Sequence, residues 1–330
     1  MTGKSGSSEV SSSAIRGYSD GPPFVFKGRA VYQLHAVKAS VARRFVPPEL
    51  KLVEAFGYTL GGLFLANYDG SPAGQFDEAV VIAGIVWNPP TSCAWAGRVL
   101  VGSEAARVHG RKEIGLPSHF ASFSHQDTEL SAPNSESSNH RSWWDARGWF
   151  SSLGRKTAPK PKLVHSVQIV QQDGRIRLPL CDVVGIPCVQ RQTTTDDSSA
   201  SELQKQRWKG PAIQLSLPNF SGKTKDQPRL LNYSCALTCR VTVVPPARIT
   251  DLTSGSTEVT DEDEDVVTIL KGKPLASMFF DEMVMRVEAP KVVTPVEDDI
   301  KERKKRDQKL LKPAAQDAGP AFGPATPSTA

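Results

Sequence analysis

Strand-length apolar stretches set off by turn residues recur along this chain, and they commit it to a β-rich fold. One begins at Phe24, and another runs to Trp87 after a turn and the adjacent acids Asp77 and Glu78. Further stretches cover Leu163–Val170, Arg175–Val184, Ala212–Leu217, Leu230–Val244 and Val266–Leu270, and a final strand falls within Met278–Glu288. Their alternation argues for antiparallel pairing around a common core. Helices are expected to be short: one over residues 40–45 ahead of Pro47-Pro48, and one between Ser103 as N-cap and Gly110 as a left-handed stop.

Three further stretches interrupt the pattern. Residues 124–163 are rich in Ser, Asn and Lys, yet carry Trp143, Trp144 and Trp149, aromatic rings that either pack back onto the domain, cover a ligand mouth, or touch a membrane or a protein partner. Residues 193–202 are Thr/Ser/Asp-rich, and 257–265 end in five consecutive acids that read as a solvated loop, without the glycine or ligand spacing of a calcium site. The expected organisation is a disordered tail over 1–21, one domain over 22–292 with these three insertions, and a largely disordered tail over 293–330 with a short helix near 297–311.

With 330 residues, 39% hydrophobic and 23% charged, the chain can bury a sizeable core. Its net charge of +5 is dispersed, and the densest basic cluster, Lys301–Lys309, is mixed with acids, so no nucleic-acid surface is expected. Five cysteines, Cys93, Cys181, Cys188, Cys235 and Cys239, form an odd set best read as reduced thiols, and none has a partner at zinc-ligand spacing. Neither a metal nor a cofactor is expected. No apolar run reaches the length of a membrane-spanning helix. The Ser-rich start lacks the character of a transit peptide, which makes the cytoplasm the expected compartment and the chloroplast the alternative.

Gly110-Arg111-Lys112-Glu113-Ile114-Gly115-Leu116-Pro117 is the segment with most chemical content. By itself it describes either a solvated turn in which Lys112 pairs with Glu113, or a lysine held at a helix end for nucleophilic work. Arg29, between Gly28 and a strand, suits either an anionic ligand group or a surface acid. Glu78, before an apolar strand, has many uses. Gly57-Tyr58-Thr59-Leu60-Gly61-Gly62 lacks the helix a phosphate site needs; its glycines suit a bending strand or a close approach to the backbone.

Taken in order with residues 24–50 and 71–87, that lysine segment resembles the acetoacetate decarboxylase-like superfamily over residues 22–292. The resemblance implies an α+β fold with a mostly antiparallel sheet, curved or closed into a barrel around an apolar cavity, few short helices, and assembly into a homo-oligomer. It makes Lys112 the Schiff-base lysine, Glu78 an active-site acid and Arg29 the partner of a substrate carboxylate. Phe26, Tyr58, Phe64, Trp87 and Glu113 become ligand-binding candidates, with Phe24, Phe56 and Trp95 as further aromatic lining. Glu113 departs from the pattern: the superfamily keeps a second lysine there, whereas a carboxylate favours the ammonium form of Lys112.

Val53–Asp69, Val86–Ala96, Leu217–Gly222 and Leu230–Cys235 further resemble a plant branch of that superfamily. This implies a protein required for accumulation of neoxanthin, a xanthophyll precursor of abscisic acid, and distinct from the enzyme that converts violaxanthin to neoxanthin. Three readings follow. One is an accessory factor that binds a small hydrophobic or carbonyl-bearing ligand. Another is a lysine-dependent, Schiff-base enzyme acting on a carbonyl or keto-acid substrate. In the third the site is vestigial and the tryptophan-rich insertion recruits a protein partner.

Overall fold

Along β1 (Phe24–Lys38) buried and partly exposed residues alternate, so that Phe24, Phe26 and Tyr32 share one face while Arg29, Gln33 and His35 share the other. The computed structural model describes residues 18–89, 91–130, 162–187, 210–254 and 256–293. The elements below lie in one unit, Met1–Val292. The tryptophan-rich stretch 131–161, Cys188, the stretch 193–202 and the segment 294–330 fall outside the described residues.

The strands after β1 are β2 (Tyr58–Gly70), β3 (Phe76–Asn88), β4 (Thr91–Val101), β5 (Ser118–Leu130), β6 (Lys162–Asp173) and β7 (Ile176–Ile186). They continue as β8 (Ala212–Gly222), β9 (Leu230–Val243), β10 (Arg248–Asp251), β11 (Lys273–Val287) and β12 (Lys291–Val292). They form one open, curved sheet in the order β10-β7-β6-β5-β4-β3-β2-β1-β11-β9-β12, with β8 added to β9. Each neighbouring pair is antiparallel except β4–β5, which the crossover through a short helix makes parallel. The fold is therefore α+β, mostly antiparallel, with few short helices. The sheet curls until β8 lies against β4, and it leaves an apolar cavity inside.

Two glycines show what the curl demands. Gly62 sits at φ +135°, and a Cβ there would collide with the carbonyl of Gln33 on β1. The glycine-rich run in β2 thus serves close strand packing, the structural half of the sequence expectation. Gly115, at φ +75°, would press a Cβ to 2.9 Å from Gly222, at the end of β8, and its carbonyl accepts a hydrogen bond from the Gly222 amide at 2.9 Å.

Among the described residues, three α-helices accompany the sheet: α1 (Ala39–Ala42), α2 (Glu104–His109) and α3 (Asp261–Leu270). In α3 the structure departs from the sequence expectation twice. The acidic run is the helix's first turn and not a solvated loop: Thr260 and Asp263 form a capping box, and four acids stand where the helix dipole favours negative charge. Val266–Leu270, expected as a strand, is its apolar end, an ambiguity inherent in a five-residue apolar run.

Helix α3 covers the outer face of the sheet. His35 Nδ1–H donates to the Ile269 carbonyl at 3.0 Å, and the Gln33 amide donates to His35 Nε2 at 2.9 Å and to the Ala247 carbonyl at 3.1 Å. The Ala247 amide returns a bond to Gln33 Oε1 at 2.7 Å. Arg98, 3% exposed, reaches from β4 to Asp263, to Glu262 at 2.6 Å and to Gln171 at 2.9 Å.

Candidate functional site

The cavity inside the curl has a volume of about 670 Å³, a size suited to a small organic ligand. Its wall is mainly apolar, supplied by the inward residues of β1 to β4, β8, β9 and β11, with the end of α2 closing one side. The alternation along β3 decides its chemistry. Asp77 points outward, where it accepts from Asn67 at 2.6 Å, while its neighbour Glu78 lines the cavity beside Val80 and Ile82.

Glu78 accepts a hydrogen bond from the hydroxyl of Tyr68 at 2.7 Å. Burial pushes its pKa up to about 7, against the opposing pull of that bond. Tyr68 is fully buried, its ring 5.1 Å from both Phe26 and Phe76, so packing fixes the donor that orients the acid. The thiols of Cys93 and Cys235 also line the cavity, and burial raises them to about 11 and about 12, which keeps both protonated and weakly nucleophilic. The cavity can therefore hold an apolar molecule against an acid that exchanges its proton near neutrality.

His109 enters the cavity from the end of α2. Tyr18 stacks on its ring at 3.9 Å, Phe24 meets it edge-on at 4.6 Å, and burial lowers its pKa to about 4, so the imidazole is neutral.

The segment that carries Lys112 differs from its expected form. Ser103 caps α2 through a bond from the Ala106 amide at 3.4 Å, but Gly110 is right-handed, at φ −55°, and the chain runs on through a π-helical turn, Gly110–Ile114, before Gly115 ends it. The wider turn sends Ile114 into the cavity wall and leaves Lys112 and Glu113 exposed. The Lys112 carbonyl accepts from Gln227 at 3.2 Å, and Arg111 pairs with Asp226 at 2.6 Å, so this turn is anchored to the loop after β8.

Of the candidates from sequence, Glu78, Phe26 and Phe64 are brought together around the cavity, with Phe24 beside them. Arg29 is not: strand parity puts it on the outer face, in an ion pair with Asp281 at 3.3 Å. Lys112 and Glu113 are turned away by the π-helical turn. Tyr58 and Trp87, each 48% exposed, lie outside the cavity wall, and Tyr58 borders a separate crevice beside α3. Phe56 is fully exposed at the turn before β2, and Trp95 is buried outside the cavity wall.

Sequence reasoning misses Tyr18, which falls within the tail 1–21, and His109, whose spacing in the sequence does not mark it out. A tyrosine alone in a Ser-rich stretch, just ahead of an aromatic strand, was the available signal. Cys93, Cys181, Cys235 and Cys239 are free and buried, and no cluster able to hold a metal occurs among the described residues.

No protein-family model matches the chain. Plant proteins named Protein NEOXANTHIN-DEFICIENT 1 are similar to it. The one from Oryza sativa subsp. japonica is 46% identical over 308 residues, covering 88% of this chain and 95% of that protein. The one from Solanum lycopersicum is 43% identical over 298 residues, covering 84% and 94%. Among solved structures, an acetoacetate decarboxylase is similar at 12% identity and a TM-score of 0.46, over 84% of this chain and 91% of that one. Identity above two residues in five, sustained over nearly the whole length of both plant relatives, places this chain in the neoxanthin-deficient 1 family.

Proposed function

We propose that this protein serves neoxanthin biosynthesis as an accessory, ligand-binding factor, distinct from the enzyme that converts violaxanthin to neoxanthin. The family name supports the pathway. The apolar cavity lined by one acid whose charge is disfavoured there supports the binding role, and it is the observation that carries this reading. The ligand is a small hydrophobic molecule enclosed by Phe26, Phe64 and their neighbours, with Glu78 as its polar contact.

The Schiff-base alternative draws no support from the geometry. An imine-forming lysine works from inside the pocket that holds the carbonyl, whereas Lys112 is exposed on the outside of the π-helical turn. Among the described residues no helix is long and apolar enough to cross a membrane. We place the protein in the cytoplasm, with the chloroplast as the alternative that fractionation of plant tissue decides.

The test is complementation of a neoxanthin-lacking plant line at matched protein levels, with pigments resolved by chromatography. Wild type and Lys112→Ala are expected to restore neoxanthin, and Val80→Phe, which fills the cavity, is expected not to. Full rescue by Val80→Phe would remove the cavity from the account, and failure of Lys112→Ala would bring back the lysine-dependent enzyme.

A further inference from the structure

The binding reading leaves open what kind of polar group the cavity accepts, and the cavity's own atoms narrow it. Among the described residues that line it there is no lysine and no arginine. A carboxylate ligand would meet no cation there, and it would lie in the same apolar enclosure as Glu78, where two negative charges repel strongly. Arg29, the cation that the sequence offers for a carboxylate, is on the other side of the sheet with Asp281.

His109 supplies the complementary clue. The backbone N–H of Tyr18 donates to Nδ1 at 3.4 Å, so Nδ1 is the bare nitrogen and Nε2 carries the hydrogen of the neutral ring. Nε2 is buried and has no hydrogen-bond partner among the described residues, although His109 as a whole is 5% exposed and lines the cavity. A buried donor without an acceptor is uncommon in a folded protein and is relieved by whatever molecule brings an oxygen to it. The stack with Tyr18 and the edge contact with Phe24 hold the ring in place.

Building on the binding role proposed above, we infer that the cavity takes a neutral apolar molecule whose ketone, ether or hydroxyl oxygen accepts a hydrogen bond from His109 Nε2–H, and that it rejects carboxylates. The family resemblance had pointed to a keto-acid. Here the ligand's oxygen meets a neutral donor, and Glu78, steadied by Tyr68, provides a second polar contact whose charge state follows pH.

Displacement of the neutral fluorophore N-phenyl-1-naphthylamine from the full chain at neutral pH tests this. With matched ten-carbon competitors, 2-decanone is expected to displace it at a concentration about tenfold or more below that needed for decanoate, the difference that one lost hydrogen bond plus an unpaired charge produces. His109→Phe keeps an aromatic ring in the stack and removes the donor. It is expected to weaken 2-decanone by about three- to tenfold, once its competition is corrected for the variant's own measured affinity for the fluorophore. If decanoate competes as well as 2-decanone in wild type, the inference is wrong while the cavity still stands as a binding site. If His109→Phe binds 2-decanone as wild type does, the histidine is not the donor. If the fluorophore does not bind at all, the binding role itself fails.

Discussion

The two faces of the sheet use buried polar residues in opposite ways. On the outer face Gln33, His35 and Arg98 are tied to carbonyls, amides and acids of neighbouring segments, and Arg98 Nε is left without a partner among the described residues. These bonds lock α3 onto β1 and β4. On the inner side Glu78 and His109 stand in an apolar enclosure with fewer partners among the described residues than they can use, and each is shifted toward its neutral form by burial. The outer network spends its polar groups on the fold, whereas the inner one keeps them for something that enters the cavity.

The comparison breaks most sharply at Arg98. Arg98→Met strands Asp263, 6% exposed on its side chain, without its guanidinium, and should cost about 3–5 kcal/mol in urea unfolding. Burial opposes the charge of Asp263, but its bonds from Thr260 and from Arg98 hold its pKa below the usual value. Its contribution is thus present at neutral pH and is lost as acid protonates it.

On the inner face the sign reverses. A Glu78 pKa raised to about 7 means that between about pH 4.5 and pH 7 the folded state holds a proton the unfolded state has released, so stability falls as pH rises through that window. Glu78→Gln removes the penalty. It should gain up to about 3 kcal/mol over wild type at about pH 8 and nothing at about pH 4, read from denaturation midpoints across the range. A loss at pH 8 would show that the carboxylate is structural, and the contrast between the faces would fail.

His109 behaves in the opposite direction from Glu78. With a folded pKa near 4, it stays neutral while the unfolded chain gains a proton below about pH 6.5, so stability is lost as pH falls from there toward 4. His109→Phe should flatten the wild-type profile on that side and leave midpoints at neutral pH within about 1 kcal/mol. The smallest effect belongs to Lys112→Ala, an exposed side chain outside the cavity wall, which should shift stability by less than about 0.5 kcal/mol.

Much of the fold was legible because strand parity and turn residues are local. The alternation that begins at Phe24 marks β1, whereas Phe26 and Glu78 were tied to one site only through the family resemblance, and the fold brings both to the cavity. The helical identity of Asp261–Leu270 was hidden by its charge, although Thr260 and Asp263 at the spacing of a capping box were there to be read. The site was legible only in part. Nothing local distinguishes a π-helical turn from a glycine stop, and that one difference carries Lys112 out of the site. His109 and Tyr18 meet across a sequence separation of 91 residues, a juxtaposition that only the folded chain makes. The resemblance placed three charged residues at one site, but strand parity and the π-helical turn separate them.

The most direct test is the binding of N-phenyl-1-naphthylamine to wild type, Val80→Phe and Lys112→Ala, each checked for the same β-sheet content by circular dichroism. The account predicts equal affinity for wild type and Lys112→Ala, and a loss of about tenfold or more when the Val80→Phe ring occupies the cavity. Undiminished binding to Val80→Phe, or loss of binding in Lys112→Ala, would contradict it.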